Sequence, residues 1–479
     1  MRKVTMKILA ILVVGVLVLA ACAPATETPT EMPGTTEPPA ETTEPPAETT
    51  EPPQETETPT EETQMPTEES GYTYDVEQGA FEGEEVNVIA VWGGSEQESF
   101  EAMVAPWEEY TGATLQYEGT RDLNAVLQTR IEGGNPPDIA GIPGPGALQQ
   151  FAEAGDLVDL TTFMDMEQLQ ADYNQSWLDL ASYKDGLYGL FTKVAVKSLV
   201  WYNPPAFNDA GYEIPETWDQ MISLSDTVVQ DGNTPWAVGL ESGAASGWPF
   251  TDWVEDIMLR TAGPDVYDQW VNHEIPWTDD RIKNAWEMAG MIMTNNDYVV
   301  GGVTGVLATN FGESIYPLYQ DPPSAYLHRN ATFMQGFITD QFPDLQAIDD
   351  YNYFLFPSIN EEYGKPVLSA GDLFGMFNDT EAARSLMKWL ASAQAQEIWA
   401  ARGGFISPNK NTNTDVYPNP ILKQAAELLT TADIVRFDAS DLMSSAVNEA
   451  FWAGALNYVE NPDNLDQILQ NIEDVAASE

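Results

Sequence analysis

The chain has 479 residues with 19 basic and 76 acidic side chains, so its formal net charge is −57. Such a charge repels phosphates and anionic lipid surfaces, which makes nucleic acid a poor partner. One cysteine and two histidines exclude disulfides, iron–sulfur clusters and cysteine–histidine metal sites, and we expect neither a metal nor a cofactor.

The N-terminal segment has the pattern of a secretory signal. A short basic start precedes an apolar run, residues 8–21, which is too short to span a bilayer. Small residues stand directly before Cys22, an arrangement that resembles the bacterial lipobox, although an ordinary signal peptide with an incidental cysteine is the alternative. The resemblance implies a signal peptide over residues 1–21 and a lipid on Cys22. We therefore expect a protein anchored by lipid to the cell membrane, in the periplasm or on the outer surface.

A low-complexity segment follows the cysteine. Residues 22–71 are mostly Thr, Pro, Glu and Ala, and the heptad EPPAETT occurs at 37–43 and again at 44–50. Nothing in this composition can bury a core, and the prolines favour extended polyproline II conformations. The segment is predicted to be a disordered tether.

Strands and helices alternate at the start of the remaining chain. The apolar spacing predicts strands at 86–92, 114–118 and 138–142, and helices at 96–110, at 122–132 and from residue 147. Ser95 is predicted to cap the first helix. Repeated β-α-β units predict a doubly wound α/β sheet, with ligands at the carboxyl ends of the strands.

The later chain is predicted to be rich in helices. They are expected at 217–230, 252–261, 280–294, 381–390 and 393–401. Thr380 suits the N-cap of the fourth, and Gly403 suits the end of the fifth. No P-loop, nucleophile elbow or dinucleotide glycine fingerprint occurs.

Several motifs occur in a fixed order along the chain. They are GGNPPDI at 133–139, GLYGLF at 186–191, LVWYN at 199–203, PETWD at 215–219 and GGFISP at 403–408. In these motifs the chain resembles the extracellular solute-binding family 1 proteins of carbohydrate ABC transporters, over nearly all of residues 84–475. Segments 241–253, 321–329 and 436–441 are similar to the α-glucoside-binding type.

The resemblance implies a fold and a function. The fold would be α/β, of the two-lobe periplasmic-binding-protein kind (type II, like maltose-binding protein), with hinge crossings near 194–196 and 368–370. Lobe 1 would comprise 84–197 plus 369–431, and lobe 2 would comprise 198–368 plus 432–479. The protein would be a monomeric receptor without catalytic activity. It would close on an α-glucoside or another small oligosaccharide and deliver it to the membrane permease.

A neutral sugar needs flat aromatic rings for its C–H faces, and charged groups for its hydroxyls. The 14 tryptophans are too many for one pocket, so most must belong to the core. Trp248, in a Gly/Ser/Pro-rich stretch, is the predicted stacking platform. Trp92 ends the first strand, where core burial is the alternative, and Phe311 lies in a matching loop of lobe 2 by resemblance.

The polar candidates are placed by similar reasoning. They are Glu96, Arg121, Lys197, Asp252, Asp372, Arg436 and Asp441. Lys197 and Asp372 adjoin the two predicted crossings. Arg436 and Asp441 lie in a segment that the resemblance places at the cleft. The alternatives are a helix cap for Glu96, a surface ion pair with Asp122 for Arg121 and a lobe-packing ion pair for Arg436.

Two other function classes stay open at this stage. A secreted glycoside hydrolase would need two opposed carboxylates about 5 to 10 Å apart, and the acidic composition supplies many. A surface carbohydrate adhesin or sensor would explain the long tether. A receptor for an anionic solute such as glycerol phosphate is disfavoured by the negative charge.

Overall fold

The computed structural model describes residues 72–479. The predicted signal peptide, the lipid attachment at Cys22 and the tether over residues 22–71 therefore lie outside the described residues and stay predictions. Within residues 72–479, strands and helices give a mixed α/β fold. No helix of this range is both long and apolar enough to span a bilayer.

The strands of residues 72–479 form one large sheet, one small sheet and a hairpin. They are β1 (Glu85–Ala90), β2 (Thr114–Gly119), β3 (Ile139–Ile142), β4 (Ser182–Tyr183), β5 (Gly186–Leu187), β6 (Gly189–Val196), β7 (Leu199–Tyr202), β8 (Leu327–Arg329), β9 (Asn352–Leu355), β10 (Val367–Met376) and β11 (Val435–Phe437).

The helices of the described residues are α1 (Ser95–Thr111), α2 (Leu123–Glu132), α3 (Pro145–Ala154), α4 (Met166–Asp172), α5 (Gln175–Leu180), α6 (Pro204–Ala210), α7 (Trp218–Gln230), α8 (Trp248–Thr261), α9 (Pro264–Val271), α10 (Asp280–Met293), α11 (Gly302–Ala308), α12 (Met334–Gln341), α13 (Glu381–Ala391), α14 (Ala393–Arg402), α15 (Pro420–Thr431), α16 (Ala439–Leu442), α17 (Ser445–Glu460) and α18 (Leu465–Ala476). Several helices, among them α1, α3, α13 and α15, pack against the large sheet, and the others build most of the rest of the fold.

The large sheet has the order β11-β10-β3-β1-β2, and β6 also pairs with β10. Strand β1 runs parallel to β2 and β3, so the carboxyl ends of these three strands lie at one edge. The three predicted strands and the helices that follow them are found within two residues of their predicted bounds. Ser95 does not cap α1 as predicted, because the helix already includes it and the N-cap is Gly94.

Two hydrophobic cores stabilise the described residues. One lies around the large sheet, and the other lies among α8, α10 and α17. Residues of predicted lobe 2 such as Met334 and Tyr351 pack into the first core. The lobe boundaries and the hinge motion stay predictions. Eleven of the 14 tryptophans are buried, which confirms that most of them belong to the core, and Trp177, Trp248 and Trp452 are only half-buried.

Helix α8 begins four residues earlier than predicted. Trp248 is its first residue, and Pro249 occupies an N-terminal position that suits proline because its missing N–H has no intrahelical partner there. Trp253 lies in this helix and is buried in the second core. The caps of the later helices follow the sequence: the Thr380 side chain accepts from the N–H of Ala383, and α14 ends at Gly403.

Candidate ligand-binding site

A cavity of about 130 Å³ lies where the carboxyl ends of β1, β2 and β3 meet β6, β10 and the segment after β11. Eight of the ten predicted ligand-binding residues line it. They are Trp92, Glu96, Arg121, Lys197, Trp248, Phe311, Asp372 and Asp441. Parallel strands and their following loops bring the first three together, as the β-α-β pattern implies. Whether these side chains bind a ligand stays a prediction.

Aromatic rings form much of the cavity wall. Trp248 meets Phe311 edge to face, with ring centroids 5.1 Å apart, and it meets Phe333 at 6.0 Å. Phe405 and Trp452 complete the wall together with Trp92. The indole Nε1 of Trp452 is buried and has no hydrogen-bond partner among the described residues. Edge-to-face contacts hold rings in fixed orientations, so the wall offers preformed apolar faces.

Charged side chains at one end of the cavity form a compact group. Lys193 Nζ lies 2.7 Å from Asp372 Oδ2 and 3.2 Å from Glu96 Oε1. The indole Nε1 of Trp92 donates to the same Oδ2 of Asp372 at 2.6 Å. Arg121 lies 3.9 Å from Glu96. Neither the helix-cap alternative for Glu96 nor the Asp122 ion pair for Arg121 appears among the described contacts.

Lys197 anchors a second charged group beneath the cavity. Its ammonium pairs with Asp252 Oδ1 at 2.8 Å and also with Asp438. Arg329 pairs with the other oxygen of Asp252 at 3.0 Å. Asp252 is fully buried and does not line the cavity, because it lies one turn inside α8 and faces these two cations. Burial raises the pKa of Asp252 to about 6, although Lys197 and Arg329 oppose that shift.

A buried carboxyl group completes this charged group. Glu255 lies close to Asp252 and Asp438, and its Oε2 has no hydrogen-bond partner among residues 72–479. Burial, then the charge of Asp438, raises the pKa of Glu255 well above its ordinary value. Three carboxylates this close are an arrangement that can hold a cation. Here Lys197 already supplies the positive charge, so we retain the expectation of no metal.

Asp441 is the carboxylate of the cavity wall that makes no ion pair within residues 72–479. Burial, then the charge of Asp438, raises its pKa well above the ordinary value, while Lys197 opposes the shift. The loop after β3 approaches its backbone closely. A Cβ on Gly144 would lie 2.4 Å from the carbonyl oxygen of Asp441, so only glycine fits there.

Arg436 is not part of this cavity. Its guanidinium pairs with Asp268 on α9 at 2.7 Å, which is the ion-pair alternative considered for it. Strand β11 is an edge strand on β10, and Arg436 points to a different groove of about 810 Å³. That groove is larger, but it holds none of the other predicted ligand-binding residues.

Sequence reasoning missed five charged or aromatic residues of the wall. They are Lys193, Phe333, Phe405, Asp438 and Trp452. Lys193, Ala195 and Lys197 alternate along and just beyond β6 and line the same cavity, so the period of two starting from Lys197 would have indicated Lys193. Trp452 lies inside the largely apolar helix α17, directly after the buried Phe451, and nothing in its local sequence separates it from a core tryptophan.

Comparisons with known proteins identify sequences and structures similar to this chain. The sequence model of a family described as bacterial extracellular solute-binding protein matches residues 93–397. The chain is 45% identical over 390 residues to the osmoprotective compounds-binding protein GgtB of Synechocystis sp., covering 81% of this chain and 91% of that protein. It is 39% identical over 395 residues to the alpha-glucosides-binding periplasmic protein AglE of Rhizobium meliloti, covering 80% and 85%.

Solved structures show the same fold. A chitin oligosaccharide binding protein superposes with a TM-score of 0.71 at 20% identity, covering 82% of this chain and 99% of that chain. The maltose-bound MalE3 of T. maritima gives 0.63 at 17% identity, covering 81% and 98%. The expected fold, α/β and similar to maltose-binding protein, is thereby confirmed.

Proposed function

The chain belongs to the bacterial extracellular solute-binding protein family, and we propose that its cavity binds a small uncharged α-glucoside. It is the substrate-binding component of a sugar ABC transporter and works with a membrane permease. Trehalose, sucrose, maltose and glucosylglycerol are the ligands that we would test first.

The observation that carries the proposal is the composition of the cavity wall. Six aromatic rings surround a space that also holds the carboxylates of Glu96, Asp372 and Asp441. Rings supply faces for the C–H groups of a sugar, and carboxylates accept from its hydroxyls. The relatives whose names state a ligand, such as the α-glucoside-binding AglE, support a sugar in particular.

In the proposed mechanism the wall residues come from two directions. Trp92, Glu96 and Arg121 follow strands of the large sheet, while Trp248 and Phe311 come from the part of the chain assigned to lobe 2. A ligand between them favours the closed arrangement, and the free energy that it adds to closure equals the difference between its binding free energies for the closed and the open arrangements. A lipid on Cys22 and the tether would keep the receptor near the permease and raise its effective concentration there.

Calorimetry and thermal unfolding of the purified protein test this proposal. A ligand at 100 times its Kd stabilises the fold by about 2.7 kcal/mol, which is readily measured. We expect a shift with at least one α-glucoside. If no mono- or disaccharide changes the unfolding temperature, the sugar proposal is wrong, although the family assignment stands.

A glycoside hydrolase is the competing class. The relatives found are named as binding proteins, and we propose that this chain likewise binds sugar without cleaving it. Prolonged incubation with α-glucosides, followed by an assay for reducing ends, tests this directly. Release of reducing sugar by the wild type that is abolished by Asp372→Asn would assign catalysis to the cavity and overturn the receptor interpretation.

A further inference from the structure

Lys193 has an unusual position for a charged side chain. Only 2% of its side chain is exposed, yet it lies in the wall of the cavity. Its ammonium pairs with Asp372 and with Glu96, whose side chains are 16% and 15% exposed. The pairing with Asp372 is built into the sheet, because Lys193 on β6 is directly opposite Asp372 on β10.

The carboxylate of Asp372 is fixed by two donors on one oxygen. Lys193 Nζ and the indole N–H of Trp92 both reach Oδ2, at 2.7 and 2.6 Å. No hydrogen bond to Oδ1 occurs among residues 72–479. The charge-assisted bonds therefore orient the group and leave one acceptor oxygen for a hydroxyl of the ligand.

The ammonium of Lys193 also occupies aromatic faces. It lies 3.6 Å from the ring centroid of Phe405, 4.6 Å from that of Trp92 and 4.9 Å from that of Trp399. These are cation–π distances, and three rings around one ammonium form a cage. A cage of this kind can bind the cation of a quaternary ammonium ligand, and here Lys193 already fills it.

The same arrangement recurs around the cavity. Lys197 Nζ lies 4.9 Å from the ring centroid of Trp248, and the guanidinium of Arg121 lies 5.0 Å from that of Phe311. Four of the six aromatic rings of the wall therefore hold a cation of the protein. At each of these four rings a cationic ligand would meet a positive side chain at one face, whereas an uncharged ligand meets no such repulsion there. The carboxylates of Glu96, Asp372 and Asp438 already pair with these cations, and Asp441 is the wall carboxylate without an ion pair within residues 72–479.

We propose that Lys193 is the positioning and specificity-determining residue of this cavity. Its ammonium fixes Asp372, Glu96 and Trp92 as one acceptor edge for an uncharged glycoside, and by filling the aromatic cage it excludes quaternary ammonium compounds. The inference rests on the proposed function, since it assumes that the cavity binds a sugar. Beyond the proposed function, the inference identifies Lys193 as the residue that rejects quaternary ammonium compounds.

The experiment compares Lys193→Ala with the wild-type protein by calorimetry. The probes are the best α-glucoside of the preceding screen and choline, a permanently charged quaternary ammonium compound. Ethylammonium is then added to the Lys193→Ala protein, because it supplies an ammonium of the right size for the emptied cage. The control is Lys423→Ala, which removes an exposed lysine that pairs with Asp415 outside the cavity.

We expect Lys193→Ala to lose at least tenfold in affinity for the glycoside and to recover part of it with ethylammonium. The same variant should bind choline, which the wild type and Lys423→Ala do not. General damage to the fold would produce neither the rescue nor the gained ligand. Circular dichroism establishes that the variant is folded.

Three results would overturn the inference. The first is a folded Lys193→Ala protein that binds the glycoside within twofold of the wild type. The second is a wild-type protein that binds choline as tightly as the glycoside. If Lys193→Ala does not fold, the Lys193→Arg variant is tested in its place. This variant keeps the positive charge and should still reject choline. The third result that would overturn the inference is binding of choline by Lys193→Arg. A wild-type protein that binds neither probe would instead refute the proposed function, and this inference with it.

Discussion

Replacing Trp248 with alanine should weaken glycoside binding without unfolding the protein. Trp248 is half-buried at the start of α8, and its ring meets Phe311 in the cavity wall. A sugar that covers about 60 Å² of the indole face removes that apolar area from water, worth about 1.5 kcal/mol at about 25 cal/mol per Å². Loss of the Lys197 contact with the ring affects the free and the ligand-bound protein alike, so it changes the stability of the fold and leaves this binding term unchanged.

The expected loss of binding free energy is therefore about 1.5 kcal/mol, or about a tenfold increase in Kd. Calorimetry with the best α-glucoside measures it. Trp177→Ala is the matched control, since Trp177 is a half-buried tryptophan that lines the larger groove near Arg436 and not the cavity. The control should bind like the wild type.

The reasoning fails if Trp248→Ala binds within threefold of the wild type while both variants unfold at similar temperatures. It also fails if Trp177→Ala loses as much affinity as Trp248→Ala. The second result would move the sugar site to the larger groove. The unfolding temperature of each variant without ligand is measured as well, so that a loss of affinity can be distinguished from a loss of stability.

Two further predictions concern the framework of the cavity. Gly247→Ala should destabilise the fold by about 2 to 4 kcal/mol, because φ is 110° there and the new Cβ would lie 2.4 Å from the carbonyl oxygen of Trp452. Gly79→Ala, also at positive φ but with open space, should cost only about 1 to 2 kcal/mol in chemical denaturation, and equal losses would contradict the steric argument. Glu255→Gln should flatten the pH dependence of stability, because burial and the charge of Asp438 raise the pKa of Glu255 above its ordinary 4.5. The folded protein then keeps a proton that the unfolded chain releases, so wild-type stability falls as pH rises from about 4.5 towards the raised pKa, and parallel unfolding curves for the two proteins would refute this.

Local patterns predicted the frame of the site well. The β-α-β start of the chain placed Trp92, Glu96 and Arg121 at strand ends, and those residues line one cavity because parallel strands direct their carboxyl ends to one edge. Collinear motifs identified the family independently of any contact. Asp252 and Arg436 do not line this cavity, because each faces a charged partner that is distant in sequence: Asp252 faces Lys197 and Arg436 faces Asp268.

Periodicity, composition and ordered motifs were sufficient to predict the fold class, the family and the kind of side chain that a sugar site requires. Which side chains meet could be read from the three-dimensional contacts alone. Lys193 joins the site through its register with Asp372, and Trp452 joins it through the packing of α17 beside α8. Strand register and helix packing depend on contacts between residues far apart in the chain, which no local pattern encodes.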